Sequence, residues 1–455
     1  MMQRTRSLAR AAWHAARGAH EASRVALGAL VRPTNPPRWP TAIGDIQPYT
    51  PRRFRSPLAG CDIRIHSPAS GHFMTTFFDV SPFSPGGRYL VATQVPFIWR
   101  TPYPGDCARV GVIDLVDNTW TPIYDTIGWG AQLGANAQWG ADDHTVYCND
   151  VVDGKGVGVA IDRTSLRVRH LQGPIFGLTP DRRYSFSADL SLINAGIPGY
   201  GVPEAFIGRR RLRTHASPTE GVWRTDIHTG RCELFLSLAD LVRAVPASEQ
   251  VRGGTNYVFN VKVNRQGTRL LIIIFTRRAD RRLGWPTQLL TCDIDGGNVQ
   301  LAMPDRLWRR GGHHPNWTPD GDHILMNLKV SGNNTLSFVR FRYDGSGLEV
   351  VAPGHKGSGH PSLNPSATHL LTDAYVRDGF TDGQYKVPIR LIDLESTHAA
   401  EIARVYTNRI PGPRRVDPHP VWSESGLEIC FNGVIAGRRQ ILIADVASYL
   451  STGAP

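Results

Sequence analysis

The chain has 455 residues and a formal net charge of +12, and its 46 Gly and 33 Pro residues are typical of a turn-rich β-protein. No run of about 18 apolar residues occurs, which argues against a membrane-spanning helix. Six cysteines are scattered without a CxxC pair, which argues against a zinc ribbon or a dense disulfide framework.

The first 55 residues carry most of the positive charge. They contain ten Arg and two acidic residues, and their Ala and Leu residues at helical spacing predict a helix up to Pro33, followed by a Pro-rich linker. Two interpretations of residues 1–32 stay open: an interfacial helix that contacts an anionic membrane surface or a partner, or a poorly ordered extension. We therefore predict a basic helical extension and linker over residues 1–55.

Seven copies of one short pattern fill the rest of the chain. Each copy contains an apolar anchor followed by a turn and a run of β-forming residues, and the anchors are Phe83, Trp139, Leu178, Val263, Trp317, Leu363 and Trp422. Each copy then reaches an Asp at a tight turn, namely Asp114, Asp162, Asp226, Asp293, Asp344, Asp393 and Asp445. Repeats of short strands at this spacing are typical of propeller blades. We predict an all-β, seven-bladed β-propeller over residues 56–455, with every anchor buried between sheets.

The last copy stops too soon after Asp445 to supply a fourth strand. A propeller is a closed ring, and an unpaired sheet edge would template aggregation. We therefore expect a strand from near the N-terminus, at Cys61 to Ile65, to complete the seventh blade.

The third copy has the longest interval between anchor and Asp, 48 residues from Leu178 to Asp226. Its Gly and Pro content predicts an excursion that overhangs one mouth of the channel. There, Tyr200 and the Arg-rich run 209–213 would help to hold an anionic ligand. The alternative is a solvated basic loop.

A ring of equivalent positions is expected at one channel mouth, because the residues before each anchor enter the innermost strand of a blade. Three residues before the anchors stand Val80, Asn136, Ile175, Asn260, His314, His360 and His419. The three histidines occupy consecutive blades, and each is followed by Pro. Such a set suits a divalent metal (Mn, Ca or Zn) or a base beside a sugar. The alternative is a His-Pro pair that only caps the strand.

Other polar residues near this ring complete the candidate site. We predict as catalytic residues His314, His360, His419 and Tyr375, with the three histidines also as metal ligands. The candidates for substrate binding are Asn136, Gln138, Asn260, Lys262, Arg309 and Arg377. Elimination from a uronate needs these residue types, because a cation must neutralise the carboxylate while a base removes the proton at C5.

Three stretches carry a resemblance to a known family: GGHHPNWTPDGDHILMNL, SGHPSLNPSATHLLTDAY and VDPHPVWSESGLEICFNG. They resemble the C-terminal blades of TolB-like seven-bladed propellers, and among these the propeller polysaccharide lyases, which include oligogalacturonate, ulvan and rhamnose-glucuronate lyases. The resemblance implies His, Tyr and Arg at the channel mouth and, in some members, a divalent metal held by His. The chain departs from the family at Val416, where a Cys is common, so a Cys-containing zinc site is not expected.

We therefore expect a carbohydrate-active enzyme that cleaves an acidic, uronate-containing polysaccharide or oligosaccharide by β-elimination. The alternative is a non-catalytic propeller that binds a polysaccharide or a protein. A hydrolase is disfavoured because no GxSxG elbow occurs, and nucleic-acid binding because the basic residues cluster in one tail. Without a secretory signal pattern we expect a cytoplasmic protein, with membrane-surface attachment and a periplasmic location as alternatives.

Overall fold

The computed structural model describes residues 39–203, 216–251, 253–278, 285–330, 332, 334–408, 410 and 412–452. The helix predicted up to Pro33 and the Arg-rich run 209–213 lie outside these residues. Within the described residues, no helix combines the length and the apolar character needed to cross a membrane.

Seven antiparallel sheets form the seven blades that the repeats predict, so the propeller fold is confirmed. Three short strands come first: β1 (Gln47–Pro48), β2 (Arg52–Phe54) and β3 (Asp62–Ile65). Blades 1 and 2 contain β4–β7 (His72–Met74, Tyr89–Val95, Ala108–Asp114, Thr119–Thr126) and β8–β11 (Gln138–Trp139, Thr145–Val152, Lys155–Asp162, Val168–His170). Blades 3 and 4 contain β12–β15 (Gly177–Leu178, Tyr184–Ser187, Gly221–Asp226, Cys232–Ser237) and β16–β19 (Thr255–Val263, Arg269–Arg277, Thr287–Asp293, Gln300–Met303). Blades 5 to 7 contain β20–β23 (Gly312–Trp317, His323–Leu328, Ser337–Arg342, Glu349–Val351), β24–β27 (Ser362–Leu363, His369–Thr372, Lys386–Asp393, Ala399–Tyr406) and β28–β30 (Val421–Trp422, Glu428–Ile435, Arg438–Asp445).

The short helices lie in connections between strands. They are α1 (Leu190–Gly196), α2 (Leu238–Ala244), α3 (Asp305–Trp308) and α4 (Ala447–Thr452), with 3-10 turns at Val376–Asp378 and Gly412–Arg414. The side chain of Asp189 accepts hydrogen bonds from the first turn of α1, and Ser237 caps α2 in the same way. Because adjacent strands are antiparallel, α1, α2 and α3 all emerge at the end of the blades where the innermost strands begin.

The N-terminal segment closes the ring. β3 pairs with β30, so that Ile63 faces Ala444, and β2 adds a fifth strand to blade 7. The strand predicted at Cys61 to Ile65 is thereby confirmed. β1 pairs with the outer strand of blade 1, so the sheets also use residues that precede position 56.

The anchors connect neighbouring blades. Indole Nε1 of Trp139 donates to the carbonyl of Pro82 at 2.7 Å, and Nε1 of Trp317 donates to the carbonyl of Lys262 at 3.2 Å. Five anchors are buried: Phe83, Trp139, Leu178, Trp317 and Trp422. The prediction is wrong for Val263 and Leu363, which are half-buried. Val263 lines an open cavity, and Leu363 packs at the rim of a small apolar cluster.

Candidate functional site

The three histidines of the predicted ring lie together. His314 is in β20, and His360 and His419 stand two residues before β24 and β28. The ring centroids of His314 and His360 are 4.0 Å apart, and those of His360 and His419 are 4.4 Å apart. His360 and His419 have no exposed surface, whereas His314 is partly exposed. Three consecutive blades therefore contribute one imidazole each to a single cluster.

The backbone enters these strands through a left-handed residue. The φ angle is +57° at His314, +47° at His419 and +53° at the equivalent Asn136, and before His360 it is +66° at Gly359. Residues other than Gly rarely adopt this region. The recurrence of this turn explains how the three histidines arrive close together in the channel.

Asp373 joins two of the histidines. Its Oδ1 accepts hydrogen bonds from the backbone N–H of His360 at 2.8 Å and from Nδ1 of the same residue at 2.9 Å, and its Oδ2 accepts from the backbone N–H of His419 at 3.2 Å. Burial alone would raise the pKa of Asp373, but His360 and these hydrogen bonds hold it below the usual value. Because an ionised carboxylate only accepts, Nδ1 of His360 carries a hydrogen, and Nε2 presents a lone pair in the neutral form of the ring.

Two imidazoles and one carboxylate form a possible metal-ligand set. One ligand atom from each of His360, Asp417 and His419 lies within 4.8 Å of the others, and all three residues are buried. Nε2 of His360 and both ring nitrogens of His419 have no hydrogen-bond partner among the described residues. Burial lowers the pKa of His419 well below its usual value, which favours the neutral, metal-binding form. This donor set fits a divalent transition metal such as manganese or zinc.

His314 faces a tyrosine instead of completing that set. Its Nδ1 lies 2.8 Å from the carbonyl oxygen of Gly359, and its Nε2 lies 3.3 Å from the hydroxyl of Tyr375. A carbonyl only accepts, so Nδ1 carries the hydrogen and Nε2 is the basic nitrogen. Burial and the neighbouring His360 lower the pKa of His314 well below its usual value, and burial raises that of Tyr375. The result is a neutral imidazole in contact with a neutral phenol.

A cleft with several cationic side chains opens beside the histidines. Its volume is about 630 Å³, and its lining includes His313, His314, Tyr200, Trp285, Arg309, Arg377 and Arg415. Arg415 is held by Asp417 at 2.6 Å and by the Tyr200 hydroxyl at 2.8 Å. Arg309 and Arg377 are 69% and 77% exposed, and the ion pair that each forms with a described residue has a distance of 3.8 Å. These two guanidinium groups are therefore available to an anionic ligand.

Asn136 and Gln138 do not join this cleft, although we predict them as substrate-binding residues. Their side-chain amides donate to the carbonyls of Ile175 and Phe176, both at 2.7 Å, and so connect blade 2 to blade 3. Both residues line a different cavity, of about 640 Å³, at the opposite end of the channel. Their polar atoms serve contacts between blades.

An aromatic pair divides the channel. Phe77 lines both cavities, and its ring centroid lies 4.7 Å from that of His419 and 4.8 Å from that of Phe78. Lys262 also lines both cavities, and its Nζ is paired with Asp79 at 2.7 Å, which occupies its charge. Asn260 lines the cleft on the histidine side, and its Oδ1 is buried without a partner among the described residues.

The sequence interpretation misses two kinds of residue. Asp417 stands two positions before His419 in the stretch VDPHP, and this spacing is the signal that could have identified it. Phe77 and Phe78 precede the first anchor, where an aromatic pair suggests only core packing. Neither belongs to the set of positions three residues before an anchor.

No model of a known protein family matches this chain. An uncharacterised protein of Agrobacterium fabrum is 25% identical over 144 residues, which amount to 31% of this chain and 46% of that protein. The chain thus matches about half the length of this curated relative.

Two solved structures are similar over most of both chains. An oligogalacturonate lyase in complex with manganese has a TM-score of 0.62 at 13% identity, over 89% of this chain and 98% of the other. The oligogalacturonate lyase of Vibrio parahaemolyticus also has a TM-score of 0.62, at 12% identity over 89% and 99% of the two chains. At this level of identity the similarity shows a common fold.

Proposed function

We propose that this protein is a metal-dependent lyase that cleaves an acidic oligosaccharide by β-elimination. The observation that carries the proposal is the set of unpartnered ring nitrogens at His360 and His419, next to Asp417 and to a cleft lined by arginines. The fold shared with a manganese-bound oligogalacturonate lyase supports it. A divalent metal held by these three residues would neutralise a uronate carboxylate and acidify the adjacent C–H bond.

In this proposal the proton is moved by His314 and Tyr375. Nε2 of His314 removes the proton from C5 of the uronate, the electron pair forms the C4=C5 double bond, and the C4–O bond to the leaving sugar breaks. The departing oxygen takes the hydrogen of the Tyr375 hydroxyl. Burial lowers the pKa of His314 and raises the pKa of Tyr375, so the base is neutral and the acid is protonated near pH 7.

The arginines of the cleft would bind the rest of the substrate. Arg309 and Arg377 are exposed and lie 3.8 Å from their carboxylate partners in the described part of the chain, so they can pair with carboxylates on neighbouring sugar units. Arg377 also lies over the ring of Tyr375, with its guanidinium carbon 5.0 Å from the ring centroid. A carboxylate bound there would hold the adjoining sugar close to the phenol.

The test is a screen of oligogalacturonates and other uronate oligosaccharides with added manganese. Product formation is measured by the ultraviolet absorbance of the unsaturated sugar. We expect His314→Gln and Tyr375→Phe to lose about 100-fold or more of the activity, the scale of general acid–base catalysis. The matched control is His228→Ala, which changes an exposed histidine far from the site. Variants as active as this control would refute the assigned roles, and wild-type protein that yields no product from any uronate would refute the lyase.

A binding propeller is the second candidate, and one observation favours it. His360 and His419 are both 0% exposed, so a metal at these residues would be shielded by Phe77 and would brace blades 6 and 7. The cleft would then hold an acidic glycan without turnover. Calorimetric binding of an oligogalacturonate without formation of an unsaturated product would single out this candidate.

A further inference from the structure

A row of aromatic rings lines the cleft beside the histidines. The ring centroids of Tyr200 and Phe259 are 5.3 Å apart, those of Phe259 and Phe275 are 4.9 Å apart, and those of Phe275 and Trp285 are 6.4 Å apart. All four residues line the cleft. The ring of Tyr200 also lies 6.3 Å from that of Phe77, which packs against the histidines. The row therefore begins next to the proposed catalytic residues.

Blade 4 determines the direction of the row. Phe259 belongs to its innermost strand β16, Phe275 to the second strand β17, and Trp285 stands just before the third strand β18. Phe259 falls where the pairing of β16 with β17 shifts its register, between Val258 and Asn260. Such a bulge re-aims a side chain. The rings therefore follow the blade outward, from the channel to the rim of the cleft.

The exposure of the rings increases along the row. Tyr200 is buried, Phe259 and Phe275 are half-buried, and Trp285 is 41% exposed. An indole on the rim of a cleft offers a flat apolar surface and one N–H donor. These two properties suit a ligand that has an apolar face and polar edges.

The charges of the same cleft favour an acidic carbohydrate as the occupant of the row. Arg309 and Arg377 line the cleft and are exposed. Asp305 is the only acidic residue among the described lining residues, and its carboxylate accepts a hydrogen bond from the backbone N–H of Thr287 at 3.0 Å. A pyranose ring has a face of C–H groups that can pack on an aromatic ring, and a uronate adds a carboxylate that can pair with arginine.

We propose that Trp285 determines the preferred chain length of the ligand, because it stacks on the outer sugar of a uronate chain that extends along the row. The inference rests on the acidic glycan of the proposed function and not on its cleavage. Two rings separate Trp285 from Tyr200, so a chain of two units that is bound at His314 does not reach the indole. Chains of three or more units reach it and bind more tightly.

The experiment is calorimetric titration of the full chain with oligogalacturonates of two, three and four units, in the presence of manganese. His314→Gln serves as the parent protein, so that no turnover disturbs the measurement. Adding Trp285→Ala should weaken the binding of the three- and four-unit chains about 10-fold and leave that of the two-unit chain unchanged. Trp285→Phe should retain most of the affinity, because it keeps an aromatic ring.

The matched control is Trp99→Ala. Trp99 is 62% exposed and lines neither of the two large cavities, so its removal should not change the affinity for any chain. Because Trp285 is also exposed, Trp285→Ala should keep a melting temperature close to that of the parent.

The results separate this inference from the lyase. Trp285→Ala that binds every chain as the parent does, or that loses the two-unit chain equally, would overturn the inference. A parent protein that binds all three chains equally, or binds none of them, would also overturn it. Wild-type protein from which no unsaturated product forms, combined with a length preference that Trp285→Ala removes, would refute the lyase and support the aromatic row.

Discussion

Replacing Asp373 by asparagine should measure how strongly one carboxylate holds the histidine cluster together. Asp373 accepts hydrogen bonds from two donors of His360, its backbone N–H and Nδ1, and from the backbone N–H of His419. Asparagine has the same shape but turns one acceptor oxygen into a donor, so at least one buried N–H loses its acceptor. A hydrogen bond to a charged group contributes about 1.5–3 kcal/mol, and a buried unsatisfied donor costs about 1–3 kcal/mol. We therefore expect Asp373→Asn to lower the free energy of unfolding by about 3–4 kcal/mol.

Urea denaturation at pH 7, followed by tryptophan fluorescence, measures this change. The matched control is Glu395→Gln, which removes an exposed carboxylate from the same blade and should change stability by less than about 0.5 kcal/mol. Asp373→Asn should also lower the affinity for manganese by about 10-fold or more, because Asp373 orients the ring of His360. A stability loss below about 1 kcal/mol with unchanged manganese binding would refute the role assigned to this carboxylate.

Three further predictions concern the ring closure and the blade anchors. Ile63→Ala in β3 should lower the free energy of unfolding by about 2–5 kcal/mol, whereas Arg64→Ala on the exposed face should lower it by less than about 0.5 kcal/mol. Equal losses of the two variants in urea denaturation would contradict the closure of the ring by β3. Burial, followed by the charge of Arg64, lowers the pKa of His66 from 6.5 to about 4. Between these two pH values the unfolded chain binds more protons than the folded chain, so the stability should fall as the pH drops from 6.5 towards 4. In a pH series of melting temperatures, His66→Gln should reduce this fall. Trp317→Ala should lower the free energy of unfolding in urea by about 3–5 kcal/mol, because it leaves a cavity and removes a hydrogen bond between blades. A loss below about 1 kcal/mol would show that Trp317 is no anchor.

The fold can be predicted from the sequence because its repeating unit is local. An anchor such as Trp139 and the turn Asp that follows it act within one blade, so the pattern remains visible seven times despite different loop lengths. The missing strand of blade 7 follows from counting, since the last copy of the repeat supplies one strand fewer than the others. The exposure of Val263 is not predictable in this way, because it depends on how wide the channel is at that level.

The candidate site is predictable only where it depends on the same repeat. The common offset from the anchors brings together His314, His360 and His419, because each enters its blade through a similar turn. The same offset also selects Asn136, which lies beyond the aromatic division of the channel. Phe77 comes from a connection that occurs once in the chain, and strand periodicity does not tell how far such a connection reaches into the channel.

The closure of the ring also determines the order in which the molecule can fold. The side chain of Arg52 donates to that of Gln440, 388 residues away along the chain, whereas most strands of the other blades pair with their immediate neighbours in sequence. Local hairpins form quickly, and contacts between distant segments must first overcome the entropy of closing a long loop. Blade 7 is therefore the last to assemble during synthesis on the ribosome, and β2 and β3, although made early, wait for β30 before they find their sheet.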